Sequence, residues 1–299
     1  MSYIGRFAPS PTGRLHFGSL LAATASYLQA RSQQGQWLLR IEDLDKPREQ
    51  AGAAEAIIQT LARYGFEWDQ AIVYQSQRLP AYTHALQSLR PHLYACQCSR
   101  KQLQALGSIG KFGPIYSGHC RSKLLNLGQE FAIRVKTFDK KICFTDLIQG
   151  CYSQNLALEL GDFIIRRADQ IFAYQLAVVI DDAWQGITEV VRGSDLLDNT
   201  PRQIHLQQLL SLPTPSYAHI PIAINELGQK LSKQTLAPAL ELKTQYLLVN
   251  LCRALNFLGQ TTTDSSSFTS TKEFWDWAIA HWDLNKIPKQ LAYHQIIST

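Results

Sequence analysis

Residues 6–19 read RFAPSPTGRLHFGS and join an apolar start to a helical pattern. Two prolines and Gly13 interrupt regular structure after the apolar start, and leucine and tyrosine side chains then recur at helical spacing. We therefore expect a short strand, a rigid turn and the first turn of a helix. Unpaired N–H groups at a helix N-terminus attract anions, so His16 and Gly18 at this junction indicate a phosphate site. An ordinary β–α turn with an incidental histidine has the same pattern.

Length and composition limit the class of protein to which this chain can belong. The 299 residues suffice for two or three lobes, because a single core stops growing at about 250–300 residues. The net charge of +5 is compatible with nucleic acid without indicating it. No run of 18 apolar residues and no signal-peptide pattern occur, so we expect a cytoplasmic protein without membrane contact. The six cysteines are then expected to bind metal or to be buried.

A buried strand is predicted to begin at Gln36 and to end in acidic residues. Glu42, Asp43 and Asp45 emerge at its carboxyl end, which is the edge of an open α/β sheet where ligands bind. A solvated acidic turn that caps the next helix would explain Asp45 without any function. That helix is predicted over residues 49–64 from its apolar spacing. The first helix would then cross over between two parallel strands in a βαβ unit.

The middle of the chain differs in character and is expected to form an inserted lobe. It carries most of the cysteines, several short strand-like runs and an irregular glycine-rich loop. Cys96, Cys98 and Cys120 supply three thiols, which with a fourth donor suit a four-coordinate structural zinc site. His119 is the more usual fourth ligand on chemical grounds, and Tyr116 also lies in this segment. Thiols that are simply buried are the alternative.

The α/β pattern returns after the inserted lobe. A buried strand is predicted to end at Arg192, and a helix to begin at Thr200 with proline at its first turn. Further along, Lys230-Leu-Ser-Lys-Gln places two lysines three residues apart. Beside a phosphate site such lysines neutralise charge on a leaving pyrophosphate, whereas paired surface lysines usually form only a solvated face.

These separated pieces together resemble the class I aminoacyl-tRNA synthetases, and within them the glutamyl branch. Residues 6–19 look like the HIGH-type signature of that branch, and residues 230–234 look like its KMSKS-type loop. Residues 39–45 are similar to its acidic strand, and residues 178–182 and 191–193 to its central strands. The two signatures here read His-Phe-Gly-Ser and Lys-Leu-Ser-Lys-Gln, so their key histidine, glycine and lysines are kept.

The resemblance implies a Rossmann-like α/β catalytic domain with an inserted zinc-containing lobe and a helical C-terminal region. Its two catalytic halves are expected at residues 1–93 and 171–225, the inserted lobe at 94–170, and the KMSKS-type loop with the helical domain at 226–299. The positions that align with glutamate-binding residues are Arg6, Phe7, Ala8, Pro9, Ser10, Glu42, Tyr174 and Arg192. The positions that align with ATP-binding residues are His16, Gly18, Ser19, Lys230, Ser232 and Lys233.

The implied roles suit the chemistry of these side chains. An arginine fork pairs with a carboxylate through two hydrogen bonds, and Glu42 can take the ammonium group of glutamate. His16 and Lys233 are the expected catalytic groups, because they would stabilise charge on the reacting phosphate. ATP is implied as a cosubstrate with Mg²⁺.

Lys233 stands close to the end of the chain, and the segment after it is shorter than a typical domain of about 100–150 residues. The anticodon-binding domains of glutamyl-tRNA synthetases are therefore not expected. This shortening, together with the cysteine arrangement, resembles the glutamyl-queuosine tRNA(Asp) synthetase family. A tyrosine is the fourth zinc ligand in that family, so the resemblance implies Cys96, Cys98, Tyr116 and Cys120, with His119 as the alternative.

The family resemblance also implies an activity and its partners. Glutamate is activated with ATP without tRNA and is passed to queuosine at the wobble position of tRNA(Asp), by a monomeric enzyme. A shortened glutamyl-tRNA synthetase that charges the 3′ end of tRNA(Glu) is one alternative. A catalytically idle tRNA-binding paralogue is another, although the retained Arg6, Glu42, Arg192 and Lys233 argue against it.

Overall fold

The computed structural model describes residues 2–106, 108–111, 113–123, 125–127, 130–225, 228–230, 238–260 and 265–294. The strands within these residues are β1 Ile4–Phe7, β2 Gln36–Ile41, β3 Val73–Tyr74, β4 Leu93–Cys96, β5 Ile109–Gly110, β6 Gly113–Pro114, β7 Ala132–Val135, β8 Lys141–Asp146, β9 Gly150–Asn155, β10 Phe163–Arg166, β11 Glu189–Gly193, β12 Ser216–Ile220, β13 Ile222–Ile224 and β14 Ala292–His294. The α-helices are α1 Phe17–Ser32, α2 Ala53–Arg63, α3 Leu79–Ser88, α4 Arg100–Leu106, α5 Leu156–Glu159, α6 Tyr174–Trp184, α7 Thr200–Leu209, α8 Thr244–Phe257 and α9 Thr271–His281.

The N-terminal part of the chain forms the predicted βαβ unit. β1 pairs in parallel with β2, and α1 makes the crossover between them. β2 also pairs in parallel with the short β3. Side chains alternate along β2, so that Trp37, Leu39 and Ile41 enter one hydrophobic core while Leu38 enters another. The sheet is therefore covered on both faces, as parallel sheets are.

The second pair of parallel strands adjoins the first at β1. β11 pairs in parallel with β12. Just before β11, Thr188 donates its backbone N–H to the Ile4 carbonyl (2.9 Å), and its hydroxyl accepts from the Ile4 N–H (2.9 Å). The sheets β1-β2-β3 and β11-β12-β8-β9 therefore lie edge to edge, with β1 against β11, and their parallel strands follow the order β3-β2-β1-β11-β12 of a Rossmann-like sheet. Its switch point, where ligands bind in such sheets, lies between β1 and β11.

The middle of the chain contributes strands to two sheets. β4, β7 and β10 form an antiparallel sheet in the order β10-β7-β4. The β8–β9 hairpin instead extends the second parallel pair, because Asp146 of β8 bridges Tyr217 of β12. The division into an inserted lobe over residues 94–170 and two catalytic halves stays a prediction.

The C-terminal region is helical, as expected, and packs on the catalytic sheet. α8 and α9 share a hydrophobic core with α1, α2 and β2. Within this core Trp275 contacts the rings of Tyr27 and Phe66, and its indole N–H donates to the Tyr64 carbonyl (3.0 Å). No helix in the described part of the chain combines the length and apolar character that crossing a membrane requires.

The expected strand over residues 178–182 is wrong, because these residues belong to α6. Residues 176–179 and both aspartates that follow Ile180 are buried, so this helix lacks an exposed polar stripe in its middle. A short helix that is buried nearly all round reads as a continuous apolar run, and such a run cannot be told from a buried strand by its period.

Candidate active site

A cleft of about 640 Å³ opens at the carboxyl ends of β1 and β11. The predicted glutamate- and ATP-binding residues that the structure describes all line it. They are Arg6, Phe7, Ala8, Pro9, Ser10, His16, Gly18, Ser19, Glu42, Tyr174, Arg192 and Lys230. The two further predicted residues, Ser232 and Lys233, lie outside the described residues.

The turn after β1 is tied to the end of β2. The Glu42 N–H donates to the Pro9 carbonyl (3.0 Å), which places Glu42 beside the turn. Gly13 has a φ of 137°, a conformation that side chains disfavour, and it lets the chain turn into α1. The proline-rich turn and the acidic strand end therefore meet at one side of the cleft.

Two buried arginines share one carboxylate beside the cleft. Asp182 accepts hydrogen bonds from Arg6 Nε (3.2 Å) and Nη2 (3.4 Å), and from Arg40 Nη2 (2.8 Å). Burial acts to raise the pKa of Asp182, but the charges of Arg6 and Arg40 outweigh it and lower that pKa. Asp182 therefore stays ionised and compensates the charge of Arg6.

Glu42 is a buried carboxylate with an unfilled hydrogen-bonding capacity. Its Oε1 lies 3.5 Å from Arg40 Nη2 but has no hydrogen-bond partner within the described part of the chain. Burial raises the pKa of Glu42 to about 7, although Arg40 and Arg6 act in the opposite direction. A cationic ligand in the cleft would supply the missing partner and favour the ionised carboxylate.

The two other acids of this strand end have different surroundings. Asp43 accepts hydrogen bonds from the backbone N–H (2.8 Å) and the hydroxyl (2.5 Å) of Ser76. Asp45 forms a surface ion pair with Arg48 at 2.6 Å. Glu42 is therefore the acid of this group that the cleft contains.

Arg192 is held by neutral partners. Its guanidinium donates from Nε to His219 Nε2 (3.0 Å), from Nη1 to the Tyr174 hydroxyl (3.2 Å), and from Nη2 to Thr200 Oγ1 (2.8 Å) and the Leu196 carbonyl (3.3 Å). These contacts occupy four of its five N–H groups, and no carboxylate pairs with it among the described residues. One N–H of Nη1, the Tyr174 O–H and an uncompensated charge are thus left for an anionic ligand.

The start of α1 forms the other end of the cleft. His16 is the N-cap of α1, and its Nδ1 accepts a hydrogen bond from the Ser19 N–H (3.3 Å). In the neutral ring the proton is then on Nε2, which makes that nitrogen a donor. The first turn of α1 contains Gly18 and Ser19 and no acidic residue, as an anion site at a helix N-terminus requires.

Lys230, the first residue of the predicted KMSKS-type signature, also lines the cleft. Its Nζ lies 2.5 Å from Asp195, another cleft residue. On the far side of the loop, Ala239 forms a β-bridge with His16. Lys230 therefore lies in the cleft, and Ala239 adjoins the start of α1.

Three cysteines and a tyrosine converge at the end of β4. The sulfur atoms of Cys96, Cys98 and Cys120 all lie within 4.8 Å of one another. The Tyr116 hydroxyl is 3.4 Å from Cys96 Sγ and 3.8 Å from Cys98 Sγ, whereas His119 is exposed. Zinc bonds of about 2.3 Å in a tetrahedron space the sulfurs about 3.8 Å apart, so this cluster can bind such a metal.

Some residues that build the site were not found from the sequence. Asp182 sits at the end of an apolar run, and its pairing with Arg6 and Arg40 depends on the packing of α6. His219 lies inside β12, where a single histidine carries no sequence signal of function. Polar residues in otherwise apolar segments are the only sequence clue to either.

The parallel strand order and the arrangement of this cleft are those of the catalytic domain of a class I aminoacyl-tRNA synthetase. A family profile described as "tRNA synthetases class I (E and Q), catalytic domain" matches residues 4–291. The crystal structure of glutamate-tRNA synthetase from Elizabethkingia anophelis gives a TM-score of 0.78 at 25% identity, covering 98% of this chain and 68% of that chain.

Closer relatives match over nearly their full length. A protein named glutamyl-Q tRNA(Asp) synthetase from Neisseria meningitidis serogroup C is 52% identical over 293 residues, which cover 96% of this chain and 98% of that protein. A protein of the same name from Pseudomonas aeruginosa is 50% identical over 290 residues, which cover 96% of each chain. The chain therefore belongs to the class I tRNA synthetases for glutamate and glutamine, and within them to the glutamyl-Q tRNA(Asp) synthetase family.

Proposed function

We propose that the protein activates L-glutamate with ATP in the absence of tRNA and transfers the glutamyl group to queuosine at the wobble position of tRNA(Asp). One observation carries the activation step. The same cleft contains an arginine without a carboxylate partner, Arg192, and a carboxylate oxygen without a hydrogen-bond partner, on Glu42, among the residues described. This charge pattern is complementary to an amino acid with an acidic side chain. The acceptor is supported by the near-complete match to relatives of that name.

The α-carboxylate of glutamate must reach ATP, so we assign the side-chain carboxylate to Arg192. Arg192 and Tyr174 offer it one N–H and one O–H donor, a two-point contact in place of the bidentate guanidinium fork expected from the sequence. Glu42 then takes the substrate ammonium. Arg6 and the following residues through Ser10 line the remaining wall of the amino-acid pocket.

Activation is a displacement at the α-phosphate of ATP. An oxygen of the glutamate α-carboxylate bonds to this phosphorus while the bond to the bridging oxygen breaks and pyrophosphate leaves. His16, the α1 N-terminus, Lys230 and Lys233 stabilise the negative charge of the transition state and the leaving group. Mg²⁺ bound with ATP would neutralise part of the phosphate charge. The oxygen of a queuosine hydroxyl then bonds to the acyl carbon while the bond from this carbon to the phosphate oxygen breaks. AMP leaves, the hydroxyl proton is released, and an ester forms.

The cluster at the end of β4 is proposed to hold one structural zinc ion. Cys96, Cys98 and Cys120 supply thiolates and Tyr116 supplies the fourth ligand, because its hydroxyl already faces two of the sulfurs. The sulfur-rich donor set closes the coordination sphere, as in structural sites. The metal stabilises the lobe and takes no part in the displacement.

Glutamate-dependent exchange of pyrophosphate into ATP, measured without tRNA, tests the activation step. The wild type is expected to be active, and Lys233→Ala to lower the exchange rate by roughly 100- to 1000-fold without changing the unfolding midpoint. Lys272→Ala is the matched control, because Lys272 is an exposed lysine on α9. Equal rates in Lys233→Ala and wild type would contradict the assigned role.

The site of transfer separates the proposal from its rivals. A shortened glutamyl-tRNA synthetase would esterify the 3′ end of tRNA(Glu), and an idle paralogue would esterify nothing. Because tRNA is a cytoplasmic substrate, the proposed reaction takes place in the cytoplasm. The monomeric state stays a prediction.

A further inference from the structure

A buried chain of polar side chains continues from Arg192 away from the cleft. Arg192 Nε donates to His219 Nε2 at 3.0 Å, and His219 Nδ1 lies 2.6 Å from Asp146 Oδ2. The side chains of His219 and Asp146 are fully buried. Neither residue lines the cleft, so neither is placed to touch a substrate.

The two ends of this chain fix the state of the imidazole. Arginine only donates hydrogen bonds, so His219 Nε2 must accept, and the ring proton must be on Nδ1 facing Asp146. Burial lowers the pKa of His219 to about 4, with Arg192 adding to the effect and Asp146 opposing it. The ring is therefore neutral, and it separates the carboxylate of Asp146 from the guanidinium.

Asp146 is itself anchored by the backbone. Its Oδ1 accepts from the N–H groups of Ile148 (3.0 Å), Gln149 (2.9 Å) and His219 (3.1 Å). The turn between β8 and β9 and the backbone of β12 thus hold the carboxylate that orients the imidazole. An arginine–carboxylate contact in place of this arrangement would compensate the charge of Arg192 directly and would compete with an anionic substrate.

We propose that Asp146 and His219 are a positioning pair that aims Arg192 at the side-chain carboxylate of the substrate and keeps the guanidinium free of a protein carboxylate. The pair thereby sets the affinity for glutamate. This inference rests on the proposed function, since it assigns the ligand of Arg192.

Two substitutions at position 219 separate the hydrogen-bond acceptor for Arg192 from the contact with Asp146. In H219Q the side-chain amide oxygen lies as many bonds from Cα as Nε2 does, so an acceptor for Arg192 is kept. In H219N the amide reaches only to the position of Nδ1, so the contact with Asp146 is kept and the acceptor is lost. His205 offers a matched control, because it is a buried histidine that bonds to the Lys136 carbonyl (2.8 Å) and not to Arg192.

Pyrophosphate exchange without tRNA is measured with glutamate and ATP varied in turn. We expect H219N to raise the KM for glutamate by about 10- to 100-fold, with the KM for ATP and the kcat at saturating glutamate little changed. We expect H219Q to stay within about threefold of wild type, and H205N to lower the unfolding midpoint without changing the KM for glutamate.

The inference is overturned if H219N keeps the wild-type KM for glutamate, or if H219Q and H219N raise it equally. A loss of kcat with an unchanged KM would equally contradict a positioning role. If H219N does not fold, H219Q decides alone: a wild-type KM supports the acceptor role, and a raised KM contradicts it. Absence of exchange in the wild type contradicts the proposed function instead, and glutamate binding measured by calorimetry then compares the same variants.

Discussion

Glu42 combines burial, an ionisable carboxyl group and an oxygen without a hydrogen-bond partner in the described part of the chain. Such a group is costly in a folded protein unless a ligand completes its contacts. Arg40 and Arg6 keep the pKa of Glu42 near 7 by opposing the larger effect of burial. The free pocket therefore changes its charge close to neutral pH.

The affinity for glutamate is expected to depend on pH through Glu42. Below pH 7 the carboxyl is protonated and neutral, so binding the ammonium requires loss of a proton, and kcat/KM for glutamate should fall about tenfold per pH unit. Above pH 7 the kcat/KM for glutamate should not change with pH. Pyrophosphate exchange between about pH 5.5 and 8.5 measures this profile.

Replacement of Glu42 gives a second test of its role in binding glutamate. Glu42→Gln is expected to raise the KM for glutamate roughly 100-fold and to remove the titration near pH 7. Asp45→Asn serves as control, because Asp45 pairs with Arg48 on the surface. An unchanged pH profile in Glu42→Gln would show that another group titrates.

The strand pattern placed these residues at a strand end, and the family resemblance singled out Glu42 among them. Glu42, Asp43 and Asp45 occur together, and the strand pattern places all three at the carboxyl edge of the sheet. Their partners decide their roles, and partners such as Ser76 for Asp43 come from distant segments. Side-chain pairing of this kind depends on tertiary packing, which one sequence does not show.

At the scale of elements, the end of β4 and the segment around residues 116–120 together form the cluster of Cys96, Cys98, Cys120 and Tyr116, which is proposed to bind zinc. We expect the purified wild type to contain about one zinc per chain and Cys120→Ser to contain none. Tyr116→Phe should weaken zinc binding more than about tenfold, whereas His119→Ala should leave it unchanged because His119 is exposed. Elemental analysis and competition with a chelator measure these quantities.

A zinc-free wild type would favour the alternative of buried thiols. Loss of zinc in His119→Ala, with retention in Tyr116→Phe, would reverse the assignment of the fourth ligand. The spacing of the cysteines predicted the cluster, since three thiols within a short segment meet readily. The choice between tyrosine and histidine needed the family resemblance, because residue chemistry alone favoured histidine.

The contacts of α6 explain why its residues 178–182 were expected to form a strand. Its aspartates face buried arginines and a tyrosine rather than solvent, since Asp181 accepts from Arg78 (2.6 Å) and Tyr82 (2.7 Å). Pairing of this kind removes the polar stripe that marks a helix at a surface. The strand that follows α6, β11, kept a recognisable pattern and was predicted.

At the scale of the whole molecule, the C-terminal helices are part of the catalytic core. Trp275 of α9 is buried against Tyr27 of α1 and bonds to the carbonyl at the end of α2. Trp275→Ala is expected to lower the free energy of unfolding by about 3–5 kcal/mol, because it opens a cavity and leaves a buried carbonyl unpaired. Urea unfolding measures the change.

Trp184 is the matched control for this prediction. It is 60% exposed at the end of α6 and contacts Arg78 through its ring face at 3.6 Å. Its replacement by alanine is expected to cost about 1 kcal/mol or less. Similar losses in the two variants would mean that α9 packs only loosely on the sheet.

Apart from α6, the main strands and helices of the catalytic domain were predicted from turn signals and apolar periods, together with the family resemblance. The packing of the C-terminal helices was not predicted, because a helix with two tryptophans, Trp275 and Trp277, can cover many different surfaces. The sequence also did not predict that the β8–β9 hairpin lies next to β12, where it supplies Asp146. Long-range strand pairing of this kind leaves no local pattern.

Transfer of glutamate to the wobble base is the central claim, and the position of label on tRNA tests it most directly. Total tRNA is incubated with the enzyme, ATP and labelled glutamate, then cleaved into fragments that separate the anticodon loop from the 3′ end. We predict label in the anticodon fragment of tRNA(Asp) and none when the tRNA lacks queuosine. Label at the 3′ end, or no label at all, would contradict the claim.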